Sequence, residues 1–183
     1  MLRNPIDIIT VCKIQKIIEP YVNSIISKQN YVSDWQYYIS EEYLLNCFGK
    51  DIPKNIDNNI FRLYGYVAMH DQLIDVVEKC YPDCEVIRSG DFHYPKTGYM
   101  GWHTNHDNPL ERVYITYATE ERKSFFRYFE NGKIITDYDN KGITVRQFKV
   151  TGKPPYFWHC VGSECDRLSF GYTLNKNKNK NNG

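Results

Sequence analysis

Apolar residues in the first third of the chain recur at helical spacing. Ile6, Ile9, Ile14, Ile17, Ile18, Val22, Ile25 and Ile26 fall on one stripe of a 3.6-residue period, which predicts an amphipathic helix from Ile6 to about Ser27. Pro20 lacks a backbone donor and is expected to bend or break that helix. A second helix is predicted over Ser33–Phe48, where Ser40 ahead of Glu41-Glu42-Tyr43-Leu44-Leu45 reads as a cap. Residues 49–59 read as loop. His70–Cys80 predicts a third helix, ended by Tyr81-Pro82-Asp83.

After Cys84 the period changes. Short runs separated by turn residues predict about eight strands: Glu85–Arg88, Asp91–Tyr94, Arg112–Tyr117, Ser124–Glu130, Lys133–Tyr138, Thr144–Val150, Pro155–Cys160 and Arg167–Leu174. Asn131-Gly132 between two of them is the strongest hairpin signal in the chain. Helices followed by a run of strands predict an α+β fold, with N-terminal helices supporting a jelly roll, that is, a double-stranded β-helix. The expected organisation is one domain over 1–174, with helical support at 1–83 and the sheet core at 84–174. The Asn/Lys-rich stretch 175–183 has too little apolar surface to pack and is expected to be a disordered tail.

Composition narrows the function classes. A net charge of +1 over 183 residues gives no electrostatic case for nucleic acid or an anionic membrane as obligatory partner. Asp7, Lys13, Lys16 and Glu19 interrupt the N-terminal apolar run, so it reads as neither a signal peptide nor a membrane span. The expectation is a cytoplasmic protein whose six cysteines stay reduced. At 15% of the residues, the aromatic side chains suit a β-rich core and an aromatic-lined pocket.

Candidate chemistry lies in two segments. In the first, His103 follows Tyr99-Met100-Gly101-Trp102 and precedes Thr104-Asn105-His106-Asp107-Asn108-Pro109; in the second, Trp158-His159-Cys160 precedes Arg167-Leu168-Ser169. A lone histidine is usually a packed or surface residue. Two histidines followed by Arg-x-Ser on the next strand make a rarer arrangement. Strand alternation puts Arg167 and Ser169 on one side, and Leu168 and Phe170 on the other. Cys160 is expected to face away from His159 and pack as a small hydrophobe. Cys80-x-x-x-Cys84 and Cys160-x-x-x-x-Cys165 offer a competing zinc site, though their spacings lack the Cys-x-x-Cys knuckle.

Between Cys84 and Leu174 the order of parts resembles the prolyl-hydroxylase-like branch of the 2-oxoglutarate/Fe(II) oxygenase superfamily. The residues that carry the resemblance are Tyr94-Pro95, Gly98-Tyr99, His103, Asn108-Pro109, Arg112, Tyr114-Ile115-Thr116-Tyr117, Lys123 to Phe129, Trp158-His159 and Arg167-x-Ser169. The resemblance implies two imidazoles and one carboxylate on one face of Fe(II), with positions left open for 2-oxoglutarate and O2. His103 and His159 would be two ligands. The third departs from the pattern: Asn105 stands at the carboxylate position by spacing, whereas Asp107 has the right chemistry and is preferred. A further possibility is that the missing carboxylate weakens iron binding or leaves a site for halide. The resemblance also implies that Arg167 pairs with the distal carboxylate of the cosubstrate, helped by Ser169 and a tyrosine, Tyr94 first and Tyr117 second. The implied activity is hydroxylation of a C–H bond, with a peptidyl side chain such as proline as the expected substrate. Small metabolites and modified nucleobases are the other options. The competing functions are a jelly-roll binding module that has lost its metal and a small zinc-stabilised interaction domain.

Overall fold

A computed structural model of the chain describes residues 1–27, 35–48 and 58–176. In chain order the elements are β1 (Leu2–Arg3), α1 (Ile8–Ile26), α2 (Trp35–Tyr38), α3 (Glu41–Cys47), β2 (Asn58–Asn59), β3 (Phe61–Arg62) and α4 (Val67–Cys80), followed by eight strands. The strands are β4 (Glu85–Tyr94), β5 (Tyr99–His103), β6 (Glu111–Ala118), β7 (Ser124–Glu130), β8 (Lys133–Tyr138), β9 (Gly142–Lys149), β10 (His159–Ser163) and β11 (Arg167–Asn175).

Two antiparallel sheets result. One has the order β1-β9-β6-β11-β4-β3 and the other β2-β5-β10-β7-β8. The Asn131-Gly132 turn joins β7 to β8 as expected, with φ of 51° and 77° at its two residues. Those left-handed values are what a type I′ hairpin turn requires. Two of the strands expected from sequence, Glu85–Arg88 and Asp91–Tyr94, are one continuous strand, β4. The expected strand Pro155–Cys160 begins only at His159, and β5, the strand that ends in His103, is not among the expected ones.

The helices also differ in detail. Asp7 caps α1 by accepting from the Thr10 N–H at 2.9 Å. The helix runs through Pro20 unbroken. Pro20 and Lys16 are both exposed, so water can serve the Lys16 carbonyl that the missing N–H leaves unpaired. The second predicted helix is split by Ile39-Ser40 into α2 and α3. Ser40 caps α3 as expected, accepting from the Tyr43 N–H at 3.1 Å. Of the expected loop at 49–59, residues 58–59 form β2 and the rest lies outside the described residues; of the expected tail at 175–183, Asn175 ends β11 and the part beyond Lys176 lies outside them. Among the described residues no helix is long and apolar enough to cross a membrane.

Three apolar clusters follow from strand alternation. On β11, Leu168, Phe170, Tyr172 and Leu174 turn outward and pack with Ile14, Ile18, Met69 and Leu73 of α1 and α4. The other sheet's outer face, with Cys160 and Phe125, is covered by Trp35, Ile39 and Leu44. Between the sheets lie Tyr94, Phe126, Tyr128, Phe148 and Val161. Cys84 and Cys160 thus sit in separate cores, and the two cysteine pairs do not converge on a zinc site.

One end of the inter-sheet space is closed by charge instead of apolar packing. Asp139, Arg146 and Arg167 are all fully buried. Asp139 accepts from Arg146 Nη1, from Arg167 Nε at 3.0 Å and from the Ser124 hydroxyl. Arg146 also donates through Nε to Asp137 at 2.9 Å, and Arg167 Nη2 donates to the Thr116 hydroxyl at 3.0 Å. Burial alone would raise the Asp139 carboxyl, but Arg167 and Arg146 hold it at about 2. Replacing one partner of such a cluster leaves buried charge uncompensated, so Asp139→Asn is expected to destabilise the protein by roughly 3–5 kcal/mol in chemical denaturation. Because the folded-state value lies below the ordinary 3.8, the carboxylate contributes stability above about pH 4 and loses it as pH falls toward 2. Acid titration of the melting temperature should show that loss in the wild type and a shallower one in Asp139→Asn.

Candidate functional site

At the opposite end of the inter-sheet space, His159 and His103 are direct cross-strand partners on β10 and β5. Their ring centroids are 4.1 Å apart. The register of two neighbouring strands, not a loop, therefore brings the histidines together. Each ring is fixed by its own chain: His103 Nδ1 lies 2.8 Å from the Gly101 carbonyl, and His159 Nδ1 lies 2.9 Å from the Phe157 carbonyl. A carbonyl can only accept, so each Nδ1 carries the proton and each Nε2 keeps its lone pair. Burial is the main force that lowers both imidazole pKa values, to about 4 for His103 and well below the usual value for His159. The neighbouring Arg112 cation acts in the same direction on both. Both rings are thus neutral at pH 7, the form that binds a metal.

Asn105 is the third group. Its amide N–H donates to His159 Nε2 at 3.1 Å. The backbone there is left-handed, with φ of 55°, a conformation that asparagine tolerates better than most residues. The preference for Asp107 is overturned. The Asn108 N–H donates to the Asn105 carbonyl at 3.1 Å, closing a turn over the two extra residues. That turn throws Asp107 outward: its side chain is 94% exposed and lies 3.2 Å from His106. His106 itself bonds Thr104 and packs on Tyr156, away from the pair. Among the described residues no three His, Cys, Asp or Glu side chains gather to hold a metal, so the available donor set is two imidazoles and one amide.

The His103, His159 and Asn105 side chains line a cavity of about 220 Å³, far above the roughly 10–15 Å³ that admits one water. Phe126, Phe148 and Phe157 pack around the His159 ring, with centroids 5.3–5.6 Å from its own. Tyr94 and Ser169, two expected cosubstrate contacts, line the cavity. Burial pushes the Tyr94 hydroxyl strongly up, which keeps it a neutral hydrogen-bonding group.

Two expectations do not hold as stated. Tyr117 faces the other way on β6, packing against the helix-side core, while Tyr114 lines the cavity in its place. Alternation along Arg112, Tyr114 and Thr116 could have shown this from sequence. Arg167 is not among the residues that line the cavity. It lies behind Tyr94, its guanidinium carbon 4.9 Å from that ring's centroid, with Asp139 and Thr116 on two of its nitrogens and Nη1 without a partner. The cations that do line the cavity are Arg112, buried, and Arg62, exposed at the edge strand. Neither carried an assigned role in the sequence. Arg127, an outward residue of β7, donates to the Ile39 carbonyl and does not reach the cavity.

No protein-family model matches this sequence, and no curated protein matches it. Among solved structures, the chain is similar to a prolyl-4-hydroxylase from Pseudomonas putida, at 15% identity and TM-score 0.46 over 90% of this chain and 86% of that one. It is similar to an oxidoreductase of the 2OG-Fe(II) oxygenase family from Burkholderia pseudomallei, at 10% identity and TM-score 0.45 over 74% of this chain and 79% of that one. A third is a prolyl hydroxylase from Trichoplax adhaerens in complex with a hypoxia inducible factor oxygen degradation domain peptide fragment, at 10% identity and TM-score 0.46, with 96% of each chain covered.

Proposed function

We propose that this protein is a 2-oxoglutarate- and Fe(II)-dependent oxygenase whose metal site is built from His103, His159 and Asn105. The observation that carries the reading is the paired register of the two histidines, each with Nδ1 spent on a backbone carbonyl and Nε2 left with its lone pair beside a cavity. The two sheet orders support a double-stranded β-helix, a frame in which such a pair sits at the mouth. The donor set fits a divalent ion held by two imidazoles and one neutral oxygen, since the Asn105 amide carries an oxygen as well as the nitrogen now facing His159.

By resemblance, bound Fe(II) with 2-oxoglutarate and O2 supplies the oxidising power to hydroxylate a C–H bond. The chain's residues orient and protect that chemistry. The backbone carbonyls of Gly101 and Phe157 hold the imidazole tautomers. Phe126, Phe148 and Phe157 exclude water beside His159. Tyr94 and Ser169 offer hydroxyls to a ligand in the cavity. A peptidyl side chain is the proposed substrate, on the family resemblance.

A second reading has one observation of its own. The Asn105 amide N–H occupies the His159 lone pair, as it would in a binding module that has given up the metal. Anaerobic titration with Fe(II), or with Co(II) as a spectroscopic probe, separates the two. The oxygenase reading expects uptake of one ion per chain and succinate release from 2-oxoglutarate; no uptake and no release would sink it. His159→Ala is expected to abolish uptake, whereas Asp107→Ala leaves it unchanged. Asn105→Asp restores a carboxylate and should tighten metal binding by at least the roughly tenfold that changes around a metal site commonly produce.

A further inference from the structure

We propose that Arg112, and not Arg167, is the cation that binds the carboxylate of the small acid this cavity takes. The inference rests on the oxygenase reading for the identity of the acid, but not for the existence of the site.

Position favours Arg112. The residue is 5% exposed, faces the inter-sheet space from β6 and lines the cavity with His103, His159 and Ser169. Its bonding is incomplete. Nη2 donates to the Asn108 carbonyl at 3.1 Å and the Tyr114 hydroxyl is a second contact, but Nε is buried without a partner. Among the described residues no carboxylate pairs with it. A buried guanidinium without a counter-ion costs several kcal/mol, and a ligand carboxylate in the adjacent cavity would repay that cost.

Arg167 is in the opposite condition. Its counter-charge is already present in the chain, because Asp139 takes its Nε at 3.0 Å, and Tyr94 stands between it and the cavity. For Arg167 to clasp a ligand carboxylate through its free Nη1, two carboxylates would have to share one buried guanidinium. Arg112 asks for none of that. Its planar fork, with the Tyr114 hydroxyl beside it, suits a carboxylate better than a neutral amide or alcohol.

The test uses metal-free protein in chelator-containing buffer, titrated calorimetrically with 2-oxoglutarate, succinate and the uncharged succinamide. The wild type is expected to bind both acids and not the diamide. Arg112→Gln should weaken both acids by roughly ten- to hundredfold, the range of a charge-assisted hydrogen bond, and Arg112→Lys should recover part of the loss. A melting curve for each variant checks that the fold is intact. Competition between succinate and 2-oxoglutarate assigns the carboxylate to the cosubstrate. Simultaneous binding assigns it to the primary substrate, with Arg112 still its partner. Acid binding by Arg112→Gln equal to wild type overturns the proposal, as does failure of the wild type to bind either acid at millimolar concentration. Neither result depends on metal uptake, so failure here and failure of the oxygenase reading are separately visible.

Discussion

Asp139 is the residue on which the rest of the structure depends. It lies just past β8, fully buried, and it receives groups from both sheets: Ser124 of β7 on one side, and Arg146 of β9 and Arg167 of β11 on the other. A carboxylate there costs several kcal/mol in desolvation unless it is paired, and each guanidinium costs as much. The three charges therefore hold one another in place. Arg146 extends the chain of contacts to Asp137, which also meets Arg3 of the short strand β1 at 3.3 Å. The result is a polar lock at one end of the inter-sheet space that fixes how the two sheets face each other.

That lock sets the geometry of the other end. His103 and His159 depend on the β5–β10 register, and β10 is also paired along its length with β7. Ser124, at the end of β7, is tied to Asp139. The histidine pair is therefore referenced through one strand to the buried ion cluster. Strands hold side chains more firmly than loops do, and a metal or an acid needs positions good to a fraction of an ångström. Asn105 is the exception, standing two residues beyond β5 with a left-handed backbone. The part of the candidate site that lies outside the strands is thus also the part where the chain departs from the pattern it resembles.

The legible parts of the sequence were those governed by local rules. Asn131-Gly132 specified its hairpin, Ser40 its cap, and the alternation of Arg167, Leu168, Ser169 and Phe170 the two faces of β11. The histidine pair was legible too, because its order with Arg-x-Ser survives without knowledge of distances. What failed were the readings that depended on a turn or on a remote partner. Asp107 was favoured on chemistry, but a turn closed by the Asn108 N–H and the Asn105 carbonyl decides where it points. Tyr117, expected as the second pocket tyrosine after Tyr94, faces the helix side, and parity with Arg112 points to Tyr114 instead. Pro20 did not break α1, since an exposed carbonyl can turn to water. No local rule could have paired Arg167 with Asp139, which lies 28 residues away along the chain.

The same pairing decides how charge is distributed inside the fold. Arg146 and Arg167 are matched by Asp137 and Asp139, so the buried cations of the locked end have their counter-charges within the chain. The open end has Arg112 with no acidic partner among the described residues, beside two imidazoles that burial keeps uncharged. A cavity with a buried cation that lacks an acidic partner favours a small anion, because the protein surroundings screen the charge less than bulk water does. A divalent ion on the histidines would add to that attraction, with Asn105 contributing no negative charge to offset it. In a site completed by a carboxylate, part of the metal charge is cancelled before any ligand arrives. On the proposed reading that cancellation would fall to the ligand, so the asparagine and the unpaired arginine would act in the same direction, toward an incoming acid.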